Sequence, residues 1–288
     1  MNPYTDPSRV RGALNSIGVR PSKSMGQNFL VDPTPLKLAL EHADVNANDV
    51  VIEVGPGLGV LTWELLNAAG QVISVELDTR LAGRLRTEFA DRPLTIVESD
   101  VLELAPSAML AAAGLPADTP YKLVANIPYA ITSPLLRHFL EGDSPPSLMM
   151  VLMQWEVADR ITAKPGDLSI LAHSVQLYAT AEIVARVPAA SFLPSPAVDS
   201  ALVLMRRRPT NAVPTNPKAL FKVIRAGFSQ ARKKLINSLA GGLAGQGYNK
   251  EQVLAAITTA GIDPNLRAEV LTLEQWATLT DTLGMATK

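Results

Sequence analysis

The sequence predicts an α/β fold followed by a smaller, all-helical C-terminal domain, and three observations carry that expectation. The apolar run Val50 to Val54 passes at once into Gly55-Pro56-Gly57-Leu58-Gly59, then into a helical pattern to Ala69 that Gly70 stops. Two further apolar runs, Val72 to Val75 and Leu94 to Val97, each lead into acids, Glu76 and then Glu98-Ser99-Asp100. Finally, composition shifts at Arg206-Arg207-Arg208-Pro209, and Pro209, Pro214 and Pro217 mark a linker. The predicted domains are residues 1–208 and 209–288.

Composition narrows the function classes. The chain has 288 residues, of which 47% are hydrophobic, enough for a sizeable core. With no cysteine, a disulfide framework, a thiolate metal site and a cysteine nucleophile are excluded. His42, His138 and His173 are far apart in helical contexts, so no metal site is expected. The opening Met-Asn-Pro-Tyr-Thr-Asp lacks the basic and apolar regions of a signal peptide, and no apolar run is long enough for a bilayer. A cytoplasmic protein is therefore expected. The formal net charge of −1 is not that of a generic binder of nucleic acid, so any such role must rest on local charge.

Taken in order, residues 1–24 carry Arg9, Arg11, Arg20 and Lys23 against Asp6, with a short helix from about Ser8 to Ile17. Gly26-Gln27-Asn28-Phe29-Leu30 reads as a loop with polar amides, before a helix from Pro35 to His42. The glycine loop lets backbone approach a ligand. Its G-x-G-x-G spacing differs from the dinucleotide fingerprint, and it lacks the Gly-Lys-Ser/Thr of a phosphate loop. Taken alone it fits a tight structural turn equally well. Glu76, at the end of the second strand, is placed to bind ribose hydroxyls, and Asp100 to accept from an adenine amino group. Acids without a phosphate-binding lysine suit a nucleoside ligand such as S-adenosylmethionine.

A fourth strand ends in Val124-Ala125-Asn126-Ile127-Pro128-Tyr129, with Ser133 and Pro134 expected to start the next helix. Pro128 has no N–H and holds Ile127 extended. That leaves the Ile127 carbonyl and the Asn126 side-chain oxygen to accept hydrogen bonds, beside the flat face of Tyr129. Two acceptors and an aromatic face suit a planar amine such as adenine N6, yet the four residues alone also fit a proline turn with a packed tyrosine. Leu148 to Met153 reads as a buried strand, then helices run from Glu156 to Ala163 and from Leu168, capped near Asp167, to Ala179. Glu182 to Val187 and Ala201 to Arg206 read as strands around a stiff loop, Ser191 to Ser200. Its Phe192 is either buried or the second wall of a base slot opposite Tyr129. Lys218 to Leu239 reads as one helix, with Lys222, Arg225, Arg232 and Lys233 opposite its apolar face. No acid occurs from Ser200 to Lys250, as expected of a phosphate-contacting surface. Short helices around Gly261 and Pro264 complete the chain.

These motifs together resemble the ribosomal RNA adenine dimethyltransferases, specifically the small-subunit, kasugamycin-resistance family. The resemblance runs from Gly26 to about Trp276. It rests on Gly26-Gln-Asn-Phe-Leu30, Glu53-Val-Gly-Pro-Gly-Leu-Gly59, Glu76-Leu-Asp78 and Asn126-Ile-Pro-Tyr129. It extends through Phe192-Leu-Pro-Ser-Pro-Ala-Val-Asp-Ser200, Phe228-Ser-Gln-Ala-Arg-Lys-Lys-Leu235 and Arg267-Ala-Glu269. It implies a Rossmann-like class I methyltransferase domain, an S-adenosylmethionine site at Asn28, Leu30, Gly55, Gly57, Glu76, Asp100 and Asn126, and a catalytic set of Asn126, Ile127, Pro128, Tyr129 and Phe192. The implied substrate is a pair of adjacent adenines in 16S ribosomal RNA of the small subunit, each methylated twice on N6, with a role in ribosome assembly and a monomeric enzyme. Trp155 departs from the family pattern, which commonly has lysine there; the change removes an RNA charge contact or replaces it with stacking.

Two other functions share features with this reading. The large-subunit 23S adenine methyltransferases have an Asn-Ile-Pro-Tyr type of motif as well, whereas the Phe192 to Ser200 loop and Arg267-Ala-Glu269 favour the small subunit. A ribosome-assembly binding factor with incidental catalysis is the alternative from another class; intact Glu76, Asp100 and Asn126 argue for catalysis.

Overall fold

The computed structural model describes residues 2–18 and 28–285. Arg20, Lys23, Gly26 and Gln27 therefore lie outside the described residues. In chain order the elements are α1 (Pro7–Ser16), β1 (Phe29–Leu30), α2 (Thr34–His42), β2 (Val50–Val54), α3 (Val60–Ala68), β3 (Gln71–Glu76), α4 (Thr79–Glu88), β4 (Leu94–Glu98) and α5 (Pro106–Ala112). Next come β5 (Lys122–Asn126), α6 (Thr132–Leu140), β6 (Leu148–Gln154), α7 (Trp155–Ile161), α8 (Ile170–Gln176), β7 (Ala179–Val187), β8 (Phe192–Leu193) and β9 (Ser200–Arg207). The chain closes with α9 (Pro217–Gly227), α10 (Leu235–Leu243), α11 (Lys250–Thr259) and α12 (Leu273–Thr282).

Seven strands form one sheet in the order β4-β3-β2-β5-β6-β9-β7. β4, β3, β2, β5 and β6 are mutually parallel, and β9 returns antiparallel to β6. The chain moves outward from β2 to β4 and then crosses to β5 on the other side of β2. This reversal opens a crevice at the carboxyl ends of β2 and β5, the edge where doubly wound sheets bind ligands. The apolar run of β6 is buried from Leu148 to Met153, as a central strand covered on both faces must be. The α/β expectation thus holds.

Two compact units emerge: Met1–Asp159 with Thr180–Arg207, and Arg160–Ala179 with Arg208–Lys288. Residues 160–179, which the sequence reading puts in the first domain, group with the second. Core packing and three hydrogen bonds explain this. Leu177 belongs to the second unit's core with Leu220, Leu239 and Trp276. The amides of Gly166 and Leu168 donate to the Glu269 carbonyl at 3.0 and 3.1 Å, and Arg208 N donates to Tyr178 O at 2.8 Å.

Other elements differ from expectation. The single helix over 218–239 is two, because the Leu235 amide donates to Leu266 O at 2.7 Å and so starts α10 afresh. Helix α6 begins at Thr132, out of a short 3-10 turn at Tyr129–Ile131, so Ser133 lies inside its first turn and caps nothing. The cap of α8 is Ser169, whose hydroxyl accepts from the Ala172 amide at 3.1 Å, and not Asp167.

Candidate active site

The glycine loop after β2 takes its shape from positive φ angles, +66° at Gly55, +58° at Gly57 and +88° at Gly59. A Cβ on Gly59 would meet Leu85 Cδ2 at 2.8 Å and Phe89 Cε2 at 2.9 Å, so only glycine lets α3 start so close to α4. A Cβ on Gly57 would meet the Phe29 ring at 3.2 Å. Gly55 and Gly57 line the crevice, whereas Gly59 serves packing.

Glu76, at the end of β3, is 7% exposed. Its Oε2 accepts from the Gly57 amide at 3.1 Å and its Oε1 from the Asp78 amide at 2.9 Å. Burial raises its pKa, against the pull of the amides of Asp78, Gly57 and Leu77. The carboxylate retains acceptor capacity for a ligand hydroxyl. Glu53 lies beneath, inside β2, 1% exposed. Its Oε2 accepts from Thr62 Oγ1 and Ser74 Oγ, both at 2.7 Å. Its Oε1 has no partner among the described residues. Burial pushes the Glu53 carboxyl up to about 7, against the hydrogen bonds from Ser74 and Thr62.

Two adjoining hollows share Gly55, Glu76 and Pro128. One, of ≈ 80 Å³, brings together Asn28, Leu30, Gly57, Asn126, Ile127 and Tyr129. The other, of ≈ 200 Å³, has Asp100 on its wall with Leu77, Val101 and Ile131. Asp100 Oδ1 accepts from the Leu102 amide at 2.9 Å, which orients the carboxylate. Among the described residues, no Lys or Arg lines either hollow. A larger hollow, ≈ 280 Å³, between Tyr4, Arg9, Arg84 and Glu88 contains none of the predicted site residues.

The corner after β5 is held from both ends. Ile127 is 2% exposed and anchors it. Tyr129 Oη lies 2.7 Å from Ser200 Oγ at the start of β9, and Thr132 Oγ1 donates to the Tyr129 carbonyl at 3.2 Å. Burial raises the Tyr129 pKa, so the phenol stays neutral and can hold that bond.

Phe192 is placed differently from the other predicted residues. It is 3% exposed, packs in the core with Leu30 and Leu36, and lines neither hollow. The cause is β8, which pairs antiparallel with β1, Leu30 opposite Phe192 and Phe29 opposite Leu193. The Val31 amide donates to Ser191 O at 2.8 Å, and Ser191 Oγ donates to Asp32 Oδ2 at 3.0 Å. Phe192 thus secures the strand that carries Leu30 to the crevice.

Sequence reasoning missed Leu77 and Ser200. Leu77 is 58% exposed on the second hollow, and an apolar residue directly after a strand-end acid is the signal for it. No local pattern marks Ser200, since its role depends on Tyr129, 71 residues away.

A model of the ribosomal RNA adenine dimethylase family matches residues 19–284. A Dehalococcoides mccartyi protein, ribosomal RNA small subunit methyltransferase A, is 45% identical over 274 residues, 94% of this chain and 91% of the relative. The protein of the same name from Lactiplantibacillus plantarum is 42% identical over 285 residues, 98% and 96% of the two chains. Among solved structures, the 23S rRNA methyltransferase ErmE superposes with TM-score 0.66 at 30% identity, covering 89% of this chain and 100% of that one. A dimethyladenosine transferase from Plasmodium falciparum gives TM-score 0.74 at 23% identity, 89% and 98% covered, a likeness of fold.

Proposed function

The chain belongs to the ribosomal RNA adenine dimethylase family, and on that premise we propose that it dimethylates N6 of two adjacent adenines in 16S ribosomal RNA of the small subunit. The observation that carries this reading is the corner Asn126 to Tyr129 at the carboxyl end of β5, beside a crevice lined by Glu76 and Asp100. The printed names of relatives 42–45% identical favour the small subunit over the large.

The residues present fit S-adenosylmethionine. Glu76 would take the ribose hydroxyls, Asp100 and Leu77 the adenine end, and Asn28, Leu30, Gly55 and Gly57 the remainder. Among the described residues the lining is acidic and carries no cation, which suits a ligand without phosphates. When bound, the cofactor supplies an electrophilic methyl group on a sulfonium.

The protein's own part is to bind and orient. Tyr129 offers its ring to the target adenine as a stacking surface, and Ser200 fixes that ring's angle. The Asn126 side-chain oxygen and the Ile127 carbonyl accept the N6 hydrogens. As N6 gives up its delocalised lone pair, these fixed dipoles favour the pyramidal nitrogen. The N6 proton becomes acidic once alkylated, so no strong base is needed, and orientation supplies much of the rate. Phe192 lies in the core behind β1 and supports the slot only indirectly, through Leu30, and Pro128 keeps the Ile127 carbonyl aimed. Lys218, Lys222, Arg225, Arg232 and Lys233 of the second unit are exposed and would contact RNA phosphates.

No helix among the described residues is long and apolar enough to cross a membrane, and they hold no cluster of three or more potential metal ligands. The proposed enzyme is a cytoplasmic monomer without a metal, acting on the small subunit or its precursor and aiding ribosome assembly. Labelled S-adenosylmethionine offered separately to small and large subunits lacking adenine methylation tests the substrate. Label in small-subunit RNA is expected; label confined to large-subunit RNA would overturn the assignment.

A further inference from the structure

Beside the base corner, the first unit has a stacked pair of side chains that the chemistry above does not use. Trp155 opens α7 directly after β6, and the guanidinium carbon of Arg186 lies over its ring, 4.9 Å from the centroid. Asp199 holds that guanidinium edge-on. Its Oδ2 accepts from Arg186 Nε at 2.9 Å and pairs with Nη2 at 2.8 Å. Both contacts converge on that one oxygen and hold the edge of the planar fork. Asp199 is fixed in turn: its Oδ1 accepts from the Ala189 amide at 2.9 Å, and its carbonyl accepts from the Trp155 amide at 3.0 Å.

Arg186 is nevertheless 62% exposed at its side chain. The guanidinium carbon lies over the indole, one edge is taken by Asp199, and most of the side chain is left to solvent. A surface ion pair of this kind contributes little to stability. Asp199 also offsets the charge that a phosphate contact would use. What remains is a flat, oriented, solvent-facing plane, and nucleobases stack on guanidinium planes as they do on aromatic rings.

Its position gives the plane a task. Asp199 is followed by Ser200, whose Oγ is 2.7 Å from Tyr129 Oη. Ser200 is in register with Gln154, the residue before Trp155. The plane is therefore tied through adjacent residues to the ring proposed to stack on the target adenine.

We propose that Arg186, backed by Trp155 and oriented by Asp199, is a stacking platform for the unpaired RNA base next to the target adenine, and that it sets which adenine enters the corner. This rests on the RNA adenine methylation reading above. Arg186 and Trp155 are positioning residues, since neither touches N6.

The test uses small subunits lacking adenine methylation, labelled S-adenosylmethionine, and four full-length proteins: wild type, Arg186→Ala, Arg186→Lys and Trp155→Ala. Removing one base stack is expected to raise KM for the particle about tenfold, with kcat and the KM for S-adenosylmethionine unchanged. The share of label between the two adenines shifts. Arg186→Lys keeps the charge but loses the plane, and is expected to behave like Arg186→Ala. Full rescue by lysine would overturn the platform in favour of a phosphate contact. Wild-type KM and adenine share in all variants would overturn it outright. A wild type that transfers no label to small-subunit RNA overturns the function and the platform together; a working wild type with unaffected variants overturns the platform alone.

Discussion

The amide of Gly57 donates to Oε2 of Glu76 at 3.1 Å, joining the glycine loop after one strand to the acid ending the next. The same carboxylate shapes the loop and presents lone pairs to a ligand. Glu76→Ala is expected to weaken S-adenosylmethionine binding more than tenfold, because hydrogen bonds to a charged group contribute roughly 1.5–3 kcal/mol each. Glu76→Gln, which keeps one acceptor oxygen, falls between. Calorimetric titration of the cofactor checks both; wild-type affinity in Glu76→Ala would remove Glu76 from the site.

Gly59 combines a φ of +88° with a neighbour 2.8 Å from where a Cβ would stand. Gly59→Ala is expected to destabilise the protein by about 1–3 kcal/mol through overpacking, in addition to the backbone strain. Urea denaturation reads this directly.

Glu53 gives a pH dependence of definite sign. Its carboxyl is raised from 4.5 to about 7 by burial. The fold therefore favours the protonated form, so this contribution is complete below about pH 4.5 and is lost as pH rises through about 7. Glu53→Gln, always neutral, is expected to match wild type near pH 5 and to exceed it at pH 8 by up to about 3 kcal/mol. Thermal midpoints across pH 5–8 measure the divergence.

His173 gives the opposite trend in the second unit. It is fully buried, and burial lowers its pKa to about 4. Trp276 Nε1 donates to its Nε2 at 3.2 Å, which requires that nitrogen unprotonated. The unfolded chain takes up a proton near pH 6.5 and the folded chain only near 4, so stability falls as pH drops between those values. His173→Gln, without that titration, is expected to flatten the decline in the thermal midpoint.

Much of the first unit is legible because its signals are local. Val50–Val54 is an apolar run closed by glycine, and strand, loop and helix follow as read. Glu76, Asp100 and Asn126 each stand at or just beyond a strand end, so parallel pairing alone delivers them to one edge. Features set by distant partners are not legible. Gly227 stands at the end of α9, but the fresh start of α10 depends on Leu235 meeting the carbonyl of Leu266, which no local signal marks. Phe192 is an aromatic in a stiff loop, and only pairing with Leu30, 162 positions earlier, decides that it is buried. Arg186, Trp155 and Asp199 come from separate elements and carry no common motif.

The most direct test of the central claim compares wild type with Asn126→Ala on small subunits lacking adenine methylation, with labelled S-adenosylmethionine and digestion of the RNA to nucleosides. The account predicts label as N6,N6-dimethyladenosine from the wild type, and at least a hundredfold slower transfer by the variant, the order seen on removing one preorganised transition-state partner (roughly 10²–10³). Label on a different base, or transfer undiminished in Asn126→Ala, would contradict it.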